Sequence, residues 1–368
     1  MLFLSNSYTI RIIGIDFSVP IFLVSGLLIL VFYFEMSSSG DSSTALVGEA
    51  PPRDFHYKYT VQKGFFMQSE DETDDSKFDF REHNFGLIPR SYPADINISK
   101  FQWKHFENYV RNLELTKQPD ESYKVLFLGR HGEGWHNVAE SEYGTKAWDC
   151  YYSALDGANG ITWADARLTS VGELQAKDVA DLWAEQLKRG IPVPQTFYVS
   201  PLTRTIQTAD LSFSTLTFPH TLSQKSPYKP LIKELLREAL GVHTCDRRST
   251  RTHLCATYPH LTFETGFSDQ DLLWKADYRE PASARRYRLG MFLDEVIAED
   301  GGVFLSMTSH SGAIGSLLEV VGHRKFRLET GGVIPIFIKA ERVEGPREIP
   351  PKEPSDSPPM CKDPPMYL

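Results

Sequence analysis

Lys124-Val-Leu-Phe-Leu-Gly-Arg-His-Gly-Glu-Gly-Trp-His-Asn137 is a run of Val, Leu and Phe with strand propensity that ends abruptly on Arg130, His131 and Gly132. In open α/β sheets the ligand crevice lies outside the carboxyl ends of the strands. A charged and nucleophilic dipeptide delivered there has a ligand to face, so the stretch reads as the floor of a phosphate pocket.

Downstream the same pattern repeats. Leu168-Thr-Ser-Val-Gly172 precedes a predicted helix with the apolar face Val171, Leu174, Val179, Leu182, Trp183, Leu187. Ser170 with Glu173 forms a candidate capping box, and Gly190 with Pro192 ends the helix. A strand over 196–200 delivers Pro201-Leu-Thr-Arg-Thr-Ile-Gln-Thr-Ala209 to a second strand-to-helix junction, and 231–235 leads into Arg237-Glu238. A strand over 303–307 ends in Ser309-His-Ser-Gly312 before a helix over 313–321, and 333–339 closes the sheet. Strands alternating with helices predict an α/β fold with a mostly parallel sheet. Three predicted strand ends carry Arg130-His131, Arg204 and His310. Guanidiniums offer planar forks that match phosphate oxygens, and helix amino ends add N–H groups.

Composition narrows the partners. With 368 residues and 41% hydrophobic content the chain can bury a sizeable core. A net charge of -9 argues against the basic face that nucleic acid requires, so an anionic ligand must be met by a local group of cations. Cys150, Cys245, Cys255 and Cys361 show no C-x-x-C spacing, which supports neither a zinc site nor a redox motif and leaves the compartment undecided.

The flanks divide the chain into an N-terminal segment 1–50, an aromatic-rich arm 51–123, a catalytic domain 124–342 and a tail 343–368. Residues 17–34 are 18 in a row without a charge, just long enough for a membrane helix. A signal anchor, a cleaved signal peptide and a true start at Met36 compete for this segment. The expected location is cytoplasmic for the catalytic domain, with membrane association or secretion through 17–34 as the alternative. The Asn97-Ile98-Ser99 sequon matters only in a secretory compartment. Clustered aromatics argue against disorder in the arm, which is expected to pack on the core, with a helix over 101–115 and a solvated acidic run over 69–75. Eight prolines after Arg342 predict a flexible tail.

Leu128-Gly-Arg-His-Gly-Glu-Gly-Trp-His-Asn137 resembles the Arg-His-Gly signature of the histidine phosphatase superfamily, in the branch that contains cofactor-dependent phosphoglycerate mutase. Leu168-Thr-x-x-Gly172, Ser200-Pro-Leu-x-Arg-Thr-x-Gln-Thr-Ala209, Leu236-Arg-Glu238 and Ser309-His-Ser-Gly312 match later motifs of that family in order, over roughly 124–339. The arm and the Pro-rich end most resemble fungal phosphomutase-like proteins of the superfamily. The resemblance implies a phosphoglycerate mutase-like three-layer α/β/α sandwich with a mostly parallel central sheet. It implies that His131 is the nucleophile that becomes phosphohistidine, that Arg130, Arg204 and His310 hold the equatorial oxygens, and that Asn137 adds a bond from the same loop. Glu238 would be the acid for the leaving oxygen and then the base for water. His310 also counts among the catalytic residues. No metal is implied, and no cofactor beyond a 2,3-bisphosphoglycerate primer in the case of a mutase.

Each role has a rival. Glu234 and Glu133 compete with Glu238 as the acid, Asn137 also reads as a helix cap, His136 as a loop holder, and His243 as either mouth-lining or surface. Mutases of the family follow the acidic residue with Arg-His-Tyr-Gly. Here the stretch is Glu238-Ala-Leu-Gly-Val-His-Thr-Cys-Asp-Arg-Arg248, so a phosphatase of small phosphorylated metabolites is the leading expectation. A mutase and a phosphoanion-binding module without turnover are the alternatives. Oligomeric state is not legible.

Overall fold

The computed structural model describes residues 53–93, 99–218 and 228–365, and three strands before them. The chain divides into the units Met1–Leu46 and Val47–Leu368. In the first, β1 (Ser7–Ile12), β2 (Ile15–Val24) and β3 (Leu27–Leu30) pair antiparallel in that order. The uncharged span 17–34 is strand at 17–24 and 27–30, and its remainder lies outside the described residues, as do Met36 and Asn97. No helix among the described residues is long and apolar enough to cross a membrane.

The second unit runs β4 (Phe55–Val61), α1 (Gln102–Thr116), β5 (Glu121–Arg130), α2 (Trp135–Tyr143), α3 (Thr145–Cys150), the small hairpin β6 (Gly157–Ala158) and β7 (Ile161–Thr162), then α4 (Ser170–Lys188) and β8 (Thr196–Val199). It continues α5 (Thr203–Phe213), β9 (Pro230–Ile232), α6 (Arg251–Thr257), β10 (Thr262–Phe263), α7 (Ala282–Glu299), β11 (Phe304–Ser309), α8 (Ser311–Val320) and β12 (Val333–Glu344). Seven of these strands form one sheet in the order β10-β9-β8-β11-β5-β12-β4, parallel from β10 to β5, with β12 antiparallel to both of its neighbours.

Side chains alternate across β5. Val125 and Phe127 point into a core cluster with Trp103 and Phe106 of α1, Trp183 of α4 and Phe213 of α5, while Leu126 and Leu128 join Leu289, Phe292 and Leu293 of α7 and Leu317 of α8. Both faces of the strand are buried, which is why its sequence reads as a continuous apolar run rather than an alternating one. The result is a three-layer α/β/α sandwich with a mostly parallel sheet. Because the helices cover both faces, a ligand can reach the sheet only at the strand ends.

Three local expectations are corrected. The arm does more than pack on the core: its β4 adds the edge strand, paired with β12 from Val61↔Ile338 to Phe55↔Glu344. Helix α4 is capped one residue early, by Thr169, whose extended backbone (φ -80, ψ 171) lets its Oγ1 accept from Gly172 N–H. The Pro-rich tail is not free of the body. Prolines remove backbone donors but not side-chain ones, and Arg347 Nε and Nη2 donate to Asp294 of α7 at 2.8 and 2.7 Å.

Candidate active site

The sheet order decides which strand ends meet. β9, β8, β11 and β5 lie side by side and parallel, so their carboxyl ends open in a row along one edge. Ser309 pairs with Arg130, and His131 N–H donates to Ser309 O at 3.0 Å. The residues one step further, His131 and His310, therefore stand with ring centroids 5.1 Å apart. After β8, Arg204 sits in the first turn of α5, and after β9 a 3-10 turn at Glu234–Leu236 leads to Arg237 and Glu238. Four strand ends thus bring Arg130, His131, Arg204, Glu238 and His310 to one place.

Backbone contact fixes the loop that carries the nucleophile candidate. A Cβ on Gly132 would lie 2.3 Å from Gly172 O, and one on Gly172 would lie 2.1 Å from Glu133 O. The glycines of two separate motifs are therefore needed for one close crossing. Thr169 Oγ1 donates to Glu133 Oε1 at 2.7 Å across it.

His131 Nδ1 lies 2.7 Å from Gly132 O. A carbonyl can only accept, so Nδ1 carries the proton and Nε2 keeps its lone pair. Burial, and after it the charges of Arg204, His136 and Arg130, push the pKa of His131 well below its ordinary value, against the bond to Gly132. Its imidazole is neutral at pH 7. Burial and Arg204 do the same to His310 and His136.

Both guanidiniums are held by their tips. Arg130 Nη1 donates to Leu328 O at 2.8 Å. Arg204, 1% exposed, donates from Nη1 to Cys245 O and from Nη2 to Asp246 Oδ1 at 2.8 Å. Among the described residues, the buried polar atoms without a hydrogen-bond partner include Arg130 Nε, Arg204 Nε, Arg237 Nε, His310 Nδ1 and His136 Nδ1. Buried orphans are uncommon in folded proteins, and five of them in residues grouped around one set of strand ends call for an explanation. The other nitrogen of His310 is engaged, 2.8 Å from Ser200 Oγ.

Glu238 hangs at the amino end of α8. Its Oε2 accepts from Gly312 N–H and its Oε1 from Ala239 N–H, both at 2.9 Å, with Arg285 Nη1 3.8 Å away. A Cβ on Gly312 would stand 2.3 Å from Glu238 Oε1, which accounts for the glycine in Ser309-His-Ser-Gly312. The two rival carboxylates are occupied elsewhere: Glu133 accepts from Thr169, and Glu234 is ion-paired with Arg237 and Arg248. Asn137 is used as a cap, its Oδ1 accepting from Gly134 N–H at 3.0 Å. His136 stands with its ring 5.3 Å from that of His131. His243 is half-buried, with its ring 6.1 Å from that of Trp148 and Nε2 3.8 Å from Asp149 Oδ1; burial and Arg279 lower its pKa to about 4.

Sequence reasoning gave no role to Asp246 or Arg279. Asp246 is 3% exposed and offers one oxygen to each of two guanidiniums, Oδ1 to Arg204 and Oδ2 to Arg279 Nη1, at 2.8 Å. Burial alone would raise its carboxyl, but Arg279 and Arg204 hold it down, at about 2. The signal was present in Cys245-Asp-Arg-Arg248, where an acid sits among arginines, but the partner Arg204 lies 42 residues away. His243, Cys245 and Asp246 also have ligand atoms within 4.8 Å of one another. They do not fit a cation, because both Asp246 oxygens already accept from guanidiniums that would repel one.

The family model of the histidine phosphatase superfamily (branch 1) matches residues 158–328, a span that begins after the Arg130-His131 signature. A protein of Arthroderma benhamiae named a probable phosphoglycerate mutase is 47% identical over 287 residues, 77% of this chain and 84% of that protein. Phosphomutase-like protein 3 of Candida albicans is 34% identical, over 77% of this chain and 81% of its own length. Among solved structures, a phosphoglycerate mutase from Bacillus anthracis covers 59% of this chain and 89% of its own, at 20% identity and a TM-score of 0.36.

Proposed function

Because the chain belongs to the histidine phosphatase superfamily, in its phosphoglycerate mutase-like branch, we propose that it hydrolyses phosphomonoesters of small metabolites through a phosphohistidine on His131. The observation that carries this reading is the set of orphaned buried nitrogens, Arg130 Nε, Arg204 Nε and His310 Nδ1, beside a histidine whose Nε2 lone pair is left for attack. Each unsatisfied buried donor costs about 1–3 kcal/mol. A phosphoryl group supplies the missing acceptors, and Ser200 O–H donating to His310 Nε2 would leave the proton on Nδ1 for it.

In the first step Nε2 of His131 bonds to phosphorus as the bond to the ester oxygen breaks, and Glu238 gives that oxygen a proton. Arg130, Arg204 and His310 hold the three equatorial oxygens, where charge builds up. In the second, Glu238 takes a proton from water, whose oxygen bonds to phosphorus and displaces Nε2. The cations do two jobs, since the charges that receive phosphate add to burial in keeping His131 unprotonated and nucleophilic. Neither step calls on a metal.

The Arthroderma relative's name points to the transfer of phosphate between glycerate oxygens. That reaction shares the first step and then returns the phosphoryl group to a second hydroxyl, with a bisphosphoglycerate primer. Hydrolysis is favoured by Ala239-Leu-Gly-Val242, which stands where mutases carry Arg-His-Tyr-Gly and brings no cation to grip a carboxylate. The test is turnover of 4-nitrophenyl phosphate and a panel of phosphometabolites with EDTA present. Wild type should turn over, and His131→Ala should lose on the order of 10^4-fold or more. Equal inactivity of both, with phosphate still bound, would remove the enzyme reading, and primer-dependent interconversion of phosphoglycerates would make the protein a mutase.

A further inference from the structure

After β12 the chain stays on the body. Gly345 N–H donates to Asp54 O, and Arg347 binds Asp294. The segment then reaches the loop before α7, where Tyr278 O–H donates to Glu353 O (3.0 Å), Arg279 N–H to Ser355 Oγ (2.8 Å) and Asp356 N–H to Arg279 O (3.0 Å). Cys361 N–H donates to Cys150 O at 2.7 Å, and a disulfide joins these two cysteines across 211 residues of sequence.

Both anchor points adjoin the segment 239–246 that follows Glu238. The loop 274–280 lies along 240–243: Val242 N–H donates to Lys275 O, Glu280 N–H to Leu240 O and Trp274 Nε1–H to His243 O. The contact is so close that a Cβ on Gly241 would stand 1.8 Å from Tyr278 O. From this loop the Arg279 guanidinium donates to Ala239 O, Gly241 O and Asp246 Oδ2, and Asp246 holds Arg204. The second anchor, Cys150, ends α3, whose Trp148 and Asp149 flank His243.

We propose that residues 346–361 form a positioning strap for the active site, latched by Cys150–Cys361, and that opening the latch weakens phosphate binding through Arg279, Asp246 and Arg204. The proposal rests on the assignment of Arg204 to phosphate. Beyond Arg347, which is held by Asp294, the strap is bound by three hydrogen bonds around Arg279 at a part-exposed surface where water competes and by one from Cys361 N–H, so the covalent link at its far end decides how firmly this stretch stays. Closing the latch removes two electrons and two protons from the two thiols, which pass to a partner disulfide that is reduced. A dithiol such as dithiothreitol reverses it. Its thiolate bonds to one sulfur, the freed cysteine sulfur takes a proton, and the second dithiol sulfur then closes the reagent's ring and releases the other cysteine. Structural disulfides persist in oxidising compartments, so the strap would be latched in a secretory or extracellular setting and slack in a reducing one.

The test uses the full chain as oxidised wild type, reduced wild type, Cys361→Ser and Cys255→Ser, the last altering the exposed free thiol. Affinity for inorganic phosphate is measured by calorimetry, and kcat and KM with 4-nitrophenyl phosphate. Reduction of wild type should raise the phosphate Kd and lower kcat/KM on the order of tenfold. Cys361→Ser should stand at the reduced value with or without dithiothreitol, while Cys255→Ser should behave as wild type. Should Cys361→Ser fail to fold, reduction of folded wild type decides alone. A phosphate Kd that stays within about twofold on reduction, with two newly alkylatable cysteines, overturns the strap. So does a purified protein with four free thiols. If no form turns over substrate yet the phosphate Kd still responds to reduction, the hydrolase reading fails and the strap stands.

Discussion

Replacing Asp246 by Asn keeps the shape of the side chain and removes the charge that two buried guanidiniums share. Both contacts are 2.8 Å long, and the carboxylate side chain is 4% exposed, so solvent screens little of the interaction. The carboxyl is at about 2 in the folded chain against 3.8 for its ordinary value, a gap of nearly two units. At 1.36 kcal/mol per unit this gives a contribution of about 2.5 kcal/mol. The folded pKa is the lower one, so the contribution is complete above about pH 4 and is lost as pH falls toward 2. In Asp246→Asn, Arg204 and Arg279 keep their charges in the interior without the anion, and breaking a buried pair costs about 3–5 kcal/mol. Urea unfolding at pH 7 should therefore show a loss of about 2.5–5 kcal/mol, and the variant should lose stability less steeply than wild type between pH 4 and 2. Because Asp246 also fixes the guanidinium proposed to meet phosphate, kcat/KM should fall on the order of 10^2-fold. An Asp246→Asn protein within about 0.5 kcal/mol of wild type would show that the two ion pairs contribute nothing net. Unchanged kcat/KM would show that Arg204 needs no anchor.

Arg204→Ala should lower kcat/KM by hundreds-fold or more, since a fork that meets charge in the transition state is lost, and an unchanged value would place Arg204 outside the pocket. The buried histidines give a stability prediction of the opposite origin to that of Asp246. His131, His136 and His310 have folded pKa values well below the ordinary 6.5, so their neutral forms stabilise the fold fully above pH 6.5 and progressively less as pH falls below it. Each should contribute a slope approaching about 1.4 kcal/mol per pH unit below that point, and urea midpoints that stay flat between pH 7 and pH 5 would contradict their burial as neutral rings.

The fold was legible where local chemistry and periodicity coincide. The helix expected over 101–115 is α1, Gln102–Thr116, and the strand at 333–339 is the start of β12, because an apolar face or run is written into consecutive residues. The edge strand β4 was not legible. Its sequence, Phe-His-Tyr-Lys-Tyr-Thr-Val61, alternates as a half-covered strand should, but its partner β12 lies more than 270 residues later and nothing local names it. The tail was misread for a related reason. Proline content describes what a backbone cannot do by itself, and the contacts that bind 346–361 come from Arg347, Ser355 and Cys361, which meet residues from four other parts of the chain.

The site divides in the same way, and the division has a physical basis. Arg130, His131, Arg204, Glu238 and His310 each end a strand or follow one within a few residues, so a correct reading of strand order is enough to bring them together. Their surroundings are set by contacts that strand order does not determine. Asp246 ends a single 3-10 turn, Thr244–Asp246, and Arg279 lies on a loop, and they meet only because Gly241, at φ +86 and with no room for a Cβ, lets the two segments touch. The residues that do the proposed chemistry were readable because they are tied to regular elements, whereas those that aim them are tied to one another. A variant that spares all five strand-end residues can therefore still disable the site, and Asp246 is where that should be easiest to see.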